Sequence, residues 1–287
     1  MKVAFFTSGG RLGAGHLVRA IAIGRGLRRA GFAGEYRIFG PRPAFPTVEA
    51  ANLEVVDVHA ESLKDPAAAA GTDLAAALAR FAPDLILVDV FWAPVHFVLP
   101  GLRCECWLLI RSCPRRWLAR TRHVAFDPRQ FARIIGIEAF ANPIVREFID
   151  PVVVCNPDEC RPRSALRERL GFPPGRRLVM VVQAGRRGEC EKLCEGFAPD
   201  EIVTSNLYEP GALFPIAEWL PGADAIVCGA GYNAFWESRW LGYYERTRFT
   251  AFDRDIDDQA WRLRAGPTHV MRENGADVLA RWIVGRV

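Results

Sequence analysis

Residues 2–31 read KVAFFTSGGRLGAGHLVRAIAIGRGLRRAG. The apolar run at the start ends in glycines, as a strand buried on both faces of a parallel sheet does. From residue 15 onward, apolar residues recur at helical spacing (Leu17, Ala20, Ile21, Ile23, Leu27), and Gly31 closes the pattern. Strand, glycine turn and helix form the opening unit of an open α/β sheet. What the turn can hold depends on its glycine order. Gly9-Gly10-x-x-Gly13-x-Gly15 is not the G-x-G-x-x-G of a dinucleotide cradle, and it lacks the Gly-Lys-Ser/Thr ending of a P-loop. The spacing instead presents His16 at a helix start on a flexible backbone turn. A neutral imidazole there can take a proton near pH 7, although the helix N-terminus disfavours its charged form. A capping or packing histidine fits the same position.

Strand and helix patterns continue to alternate. EYRIFG (35–40), LEVVDV (53–58), DLILVDVF (84–91), CWLLI (106–110) and ARIIGI (132–137) read as strands, with an alanine-rich helix over 67–82. NPDECRPRSALRERLGFPPGRR (156–177), with four prolines and a short amphipathic helix, reads as a connection, after which the pattern restarts. LVMVVQAG (178–185), DEIVTSN (200–206), ADAIVCGAG (223–231) and RFTAFD (248–253) supply further strands, with helices near 233–241 and 257–265. The expected architecture is α/β, with two parallel-sheet domains that meet near residue 150. The domains are residues 1–152 and 153–287.

Composition narrows the function classes. The chain has 287 residues, half of them apolar, and a net charge of +4. Only three of its 37 basic residues are lysines, and the charge is interleaved with acids, which argues against a nucleic-acid groove. No apolar stretch approaches the roughly 20 residues that span a bilayer, and the first residues read as a strand rather than a signal segment. A cytoplasmic protein with its eight cysteines as free thiols is expected. No CxxC pair or histidine cluster supports a metal site.

A second glycine turn, VCGAGYNAFWES (227–238), opens another helix. Unpaired N–H groups and the helix dipole there favour a diphosphate. Glu237, one turn after Asn233, can accept from ribose hydroxyls, or it can be an exposed helix glutamate.

LGAGHLVRAIAIGRGLRRAG, ADAIVCGAGYNAFWESRWLG and DIDDQAWRLRAG, in this order, resemble the two-domain GT-B glycosyltransferases. They are most similar to family 28, the bacterial type that adds N-acetylglucosamine to the peptidoglycan lipid intermediate. They are also similar to the UDP-sugar hydrolase of the pseudaminic acid pathway, whose first loop likewise runs Gly-x-Gly-His-x-x-Arg. The resemblance implies two Rossmann-like domains whose parallel sheets face each other across a cleft. It makes His16 the general base on the cleft floor, with Arg19 near it and Gly10, Gly13 and Gly15 in the acceptor-side loop. It implies that Gly185 and Gly188 touch the diphosphate, and that Gly229, Gly231, Tyr232 and Asn233 hold the nucleotide. Glu237 would hold the ribose, and Asp258 with Gln259 the donor sugar. The family's Pro-containing strand after the ribose helix is replaced here by GYYERTRFTAFDR (242–254). The chain is also short for a transferase, with little room for a long C-terminal helix crossing back to the first domain.

The expected activity is metal-independent transfer of a hexosyl group from a nucleotide sugar, a UDP-sugar first, with no bound cofactor and no Asp-x-Asp motif. The acceptor would be a small or lipid-linked molecule near VFWAPVHFVLPGL (90–102) and RSCPRRWLARTRH (111–123). Trp and Arg there also suit peripheral contact with the inner membrane face, as they suit ordinary packing and a solvated charged face. Hydrolysis with water as acceptor, or nucleotide-sugar binding without turnover on the same fold, are the alternatives. An NAD-linked dehydrogenase is disfavoured because neither turn has dinucleotide spacing.

Overall fold

The computed structural model describes residues 1–7, 14–41, 55–58, 73–114, 120–121, 124–139, 144–182, 187–204 and 213–286. Its strands are β1 (Lys2–Phe6), β2 (Glu35–Gly40), β3 (Val55–Asp57), β4 (Leu85–Asp89), β5 (Glu105–Ile110), β6 (Arg120–Thr121) and β7 (Val124–Ala125). They continue with β8 (Arg133–Gly136), β9 (Glu147–Phe148), β10 (Val179–Val182), β11 (Ile202–Thr204), β12 (Ala225–Gly229) and β13 (Thr247–Thr250). The α-helices are α1 (Gly15–Arg29), α2 (Asp73–Phe81), α3 (Arg163–Leu170), α4 (Arg187–Cys194), α5 (Tyr232–Trp240), α6 (Gln259–Ala265) and α7 (Gly275–Val284).

Seven strands form a first sheet in the order β3-β2-β1-β4-β5-β8-β9, parallel throughout. A second parallel sheet runs β11-β10-β12-β13. β6 and β7 pair antiparallel apart from both. β1 shows why the first sheet is covered on both faces: Val3 and Phe5 enter one apolar cluster, Ala4 and Phe6 another. In each sheet the strand order reverses beside the first strand, between β1 and β4 and between β10 and β12. Such reversals open a crevice at the carboxyl ends of the strands. β1 and β12, the strands that each glycine turn follows in sequence, both border such a point.

GYYERTRFTAFDR still forms its strand. β13 lies parallel to β12, and Tyr244 and Phe249 pack with Phe235, their ring centroids 5.1–5.8 Å apart. Aromatic packing here takes the place of a Pro-containing apolar strand.

The end of the chain forms a short helix that the sequence reading left out. Asn274 caps α7 by accepting from Ala276 N (2.9 Å), and Asp277 sits in its positive first turn. Ala276, Leu279, Ala280 and Ile283 recur at helical spacing and are fully buried. They join the core cluster of Val3, Phe5, Leu17 and Ile21, so α7 does cross back to pack on α1. The approach is close at Gly26, where a Cβ would stand 2.5 Å from Ala276 O. Tyr232, Phe235 and Trp236 of α5 enter the same cluster. The hydrophobic core is therefore continuous between the two sheets. No helix among the described residues is long and apolar enough to cross a membrane.

Candidate active site

Asp89 ends β4, and the chain turns sharply after it. Val90 takes φ +64°, an uncommon conformation for a β-branched residue and one that clusters at functional sites. Phe91 N donates back to Asp89 O (2.6 Å), which brings the Phe91 ring to 4.9 Å from the His16 ring. His16 starts α1 on the other side of the reversal point. Its Nδ1 lies 2.6 Å from Asp89 Oδ2. Arg19, one turn along α1, donates from Nε and Nη2 to Asp89 at 2.9–3.2 Å.

The electrostatics fix the proton positions. Burial alone would raise the pKa of Asp89, but the Arg19 and His16 charges and hydrogen bonds hold it well below the usual carboxylate range. Asp89 is therefore ionised and only accepts, so Nδ1 of His16 carries the proton. The 2.8 Å approach of Arg19 Nη2 to Nδ1 then sets two donors side by side on one carboxylate. Burial lowers the His16 pKa below its ordinary 6.5, Asp89 opposes that, and Arg19 and Arg111 add to it. The imidazole is neutral at pH 7, and its Nε2 carries the lone pair that can accept a proton. Its side chain is 13% exposed, enough to be reached from the cleft.

The second glycine turn meets this pair directly. Gly231 is the N-cap residue of α5. Asn233 donates from Nδ2 to Gly15 O (2.9 Å) and accepts at Oδ1 from Arg19 Nη1 (3.3 Å). Tyr232, expected at the nucleotide, is buried instead. Its hydroxyl donates to Ile137 O (3.0 Å) and accepts from Val152 N (2.7 Å), and the Arg19 guanidinium lies 5.0 Å from its ring centre.

Beside it runs a buried charged network that joins the two sheets. Glu138, just past β8, accepts from Ser112 N (2.7 Å), Trp236 Nε1 (2.6 Å) and Arg262 Nε (2.5 Å). Arg262 also donates to Ala230 O (2.7 Å) and to Asp257 Oδ1 (2.8 Å), and Asp257 pairs with Arg111 past β5. Burial would raise the Asp257 pKa, but Arg111 and Arg262 hold it low. Burial would lower that of Arg262, but Glu138 and Asp257 raise it. Each carboxylate of the network is paired with a guanidinium, as buried charges are.

The remaining candidates divide. Asp258 caps α6 by accepting from Trp261 N (2.8 Å), and its neighbour Asp257 faces the network. Gln259 accepts from Phe252 N (2.9 Å) and lies near Gly231, where a Cβ would stand 3.9 Å from its Nε2. Glu237 is neither exposed nor on the cleft surface: it is 3% exposed, and its Oε1 has no hydrogen-bond partner. Burial raises its pKa to about 7, opposed by Arg25 and by a hydrogen bond from Val154 N. In this arrangement it presents no surface to a ribose. Gly229 ends β12, and Gly188 lies in the exposed first turn of α4, where a Cβ would meet nothing. Gly10, Gly13 and Gly185 lie outside the described residues. In VFWAPVHFVLPGL, Val90, Trp92, Val95, Val98 and Leu99 pack into the core, which leaves Phe97 exposed. Part of RSCPRRWLARTRH (115–119 and 122–123) lies outside the described residues. Among those described, no His, Cys, Asp or Glu cluster forms a metal-ligand set.

Sequence reasoning missed Asp89, Arg111, Glu138, Asp257 and Arg262. The signal was present for the first three. Each is the first charged residue at or just past the carboxyl end of an apolar strand, on three parallel strands that include both neighbours of β5.

No family model matches the chain, and no curated protein matches it. Solved structures do. The chain is similar to the glycosyltransferase SsfS6 of Streptomyces sp. SF2575 complexed with thymidine diphosphate, with a TM-score of 0.60 and 16% identity over 98% of this chain and 90% of that one. It is also similar to the spinosyn forosaminyltransferase SpnP (TM-score 0.56, 15% identity, 100% and 94% covered). A third is the spinosyn rhamnosyltransferase SpnG complexed with thymidine diphosphate (0.52, 15%, 98% and 88%). The likeness runs the full length of the chain and establishes the fold: two Rossmann-like domains in the GT-B arrangement.

Proposed function

We propose that this chain is a glycosyltransferase that moves a sugar from a nucleoside diphosphate sugar to a hydroxyl acceptor. The observation that carries this reading is the His16–Asp89 pair, set at the strand-order reversal of one sheet and facing the glycine turn of the other. His16 Nε2 takes the acceptor O–H proton as the new C–O bond forms at the anomeric carbon and the bond to the diphosphate breaks. Asp89 holds the imidazole in the Nδ1–H tautomer and stabilises the imidazolium that forms. The leaving diphosphate carries the developing charge, and in this reading the N–H groups at the start of α5 receive it, as helix N-termini favour anions. The sequence motifs favour uridine as the base, and thymidine diphosphate, bound by two of the structural neighbours, is the second candidate. The family-28 resemblance rests on the same motifs.

A second reading is hydrolysis. The Asn233–Gly15 contact leaves the His16 side chain only 13% exposed, an opening suited to a nucleophile as small as water. Incubation with UDP- and dTDP-sugars, with and without candidate acceptors, separates the readings by product: glycosylated acceptor, or free sugar with nucleoside diphosphate. His16→Ala should abolish either product. Turnover that survives this substitution would remove His16 from the chemistry.

A further inference from the structure

Asn233 is the second residue of α5 in the second domain, yet the first domain uses both ends of its carboxamide. Gly15 O is the carbonyl immediately before His16, and Nδ2 donates to it at 2.9 Å. Oδ1 accepts from Arg19 Nη1 at 3.3 Å, while Nε and Nη2 of the same guanidinium hold Asp89. A carbonyl on one side and a guanidinium on the other require a side chain that donates at one end and accepts at the other. A carboxamide does this and a carboxylate does not. The Tyr232 ring, with both of its hydroxyl hydrogen bonds made to the first domain, backs the Arg19 guanidinium. A continuous chain of contacts therefore runs from the second domain through Asn233 and Arg19 to Asp89 and His16.

We propose that Asn233 is a positioning residue for the general base: it locks the His16–Asp89 pair in place only while the two domains stand together. The inference rests on His16 acting as the base, and it replaces a nucleotide-holding role for Asn233 with one that acts across the domain boundary. Without the lock, the start of α1 loses part of its cover and more of the imidazole is exposed to water.

The test reads the imidazole itself and needs no substrate. The groups facing His16 are Asp89 and the Phe91 ring beyond β4, Arg19 on its own helix, and Arg111 beyond β5. All of them stay unchanged in Asn233 variants. The His16 resonance, identified by its loss in His16→Gln, is titrated by NMR in the nucleotide-free full chain. In the wild type the midpoint lies below 6.5. In Asn233→Ala the relief of burial should move it up by about half a pH unit or more. Asn233→Ser, whose side chain is too short to reach Gly15 O and Arg19 and also opens the cover, serves if the alanine variant does not fold. It should shift the same way, with melting curves confirming the fold. An unchanged midpoint in a folded variant would overturn the proposal. Calorimetry with UDP and with dTDP supplies the second arm, where the lock leaves nucleotide Kd near its wild-type value. Weaker nucleotide binding with an unmoved His16 midpoint would make Asn233 a direct nucleotide contact and overturn the lock. Because the titration is done without donor, its result stands apart from whether glycosyl transfer is found.

Discussion

His16 Nδ1 and Asp89 Oδ2 stand 2.6 Å apart on opposite sides of the strand-order reversal of the first sheet, and Asp89 is fully buried. Asp89→Asn keeps the shape but presents the ring with a group that both donates and accepts. The Nδ1–H tautomer is then no longer enforced. Turnover should fall by about 10²–10⁴, with nucleotide affinity close to wild type. Steady-state rates paired with calorimetry check this. Wild-type turnover in the variant would mean that the pair is structural.

The lowered His16 pKa sets the pH dependence. The base works when neutral, so kcat/KM should rise with pH through a midpoint below 6.5 and then level off. Stability follows the same sense. Between the folded value and 6.5 the unfolded chain binds more protons, so this residue's contribution is complete above 6.5 and is lost as pH falls toward the folded value. A rate profile with its acidic limb above 6.5 would contradict the assignment.

Glu237 has the opposite sign. Its carboxyl is raised from 4.5 to about 7, so the folded chain holds the proton more tightly than the unfolded one. Its contribution is present below 4.5 and declines as pH rises to 7, by an amount on the order of 3 kcal/mol. Glu237→Gln, which stays neutral, should raise the melting temperature at pH 8 and change it little at pH 4. Thermal scans at the two values distinguish this from a glutamate that is ionised in the folded state.

Removing Arg262 strands Glu138 in the core without its guanidinium partner. Arg262→Ala should cost about 3–5 kcal/mol, because it leaves a buried charge uncompensated. Denaturant unfolding measures it. A loss under about 1 kcal/mol would show the network to be loosely solvated.

Gly26 is a steric requirement rather than a conformational one. A side chain there meets backbone at Ala276, which cannot rotate away. Gly26→Val should destabilise by about 1–3 kcal/mol through overpacking. An unshifted melting temperature would place α7 elsewhere.

The backbone plan was legible because both strand–glycine–helix units carry strong local signals: KVAFF with its turn and α1, and AIVCG with its turn and α5. Charge at strand ends was legible too, since Asp89, Arg111 and Glu138 each interrupt or follow an apolar run where an open sheet binds ligands. Pairing across the cleft was not. Asp257 and Asp258 are adjacent and chemically alike, and only the start of α6 decides between them, by taking Asp258 as its cap and leaving Asp257 to Arg111 and Arg262. Helical spacing correctly set Glu237 one turn after Asn233, but which neighbour covers that turn is a tertiary fact. α7 was missed because Asn274-Gly275 reads equally as a turn and as a cap. Its four apolar residues have meaning only against the groove of α1.

The return of α7 to α1 bears on how the molecule is made. A ribosome releases the strand, turn and helix that carry His16 well before the residues that cover one side of that helix. Domains usually fold as units, the N-terminal one first, during synthesis at about 5–20 residues per second. Here the earliest domain waits for Leu279 and Ile283 before its own core is closed. Until then Leu17 and Ile21 lack part of their cover, and the nascent chain carries an apolar stripe until α7 has emerged.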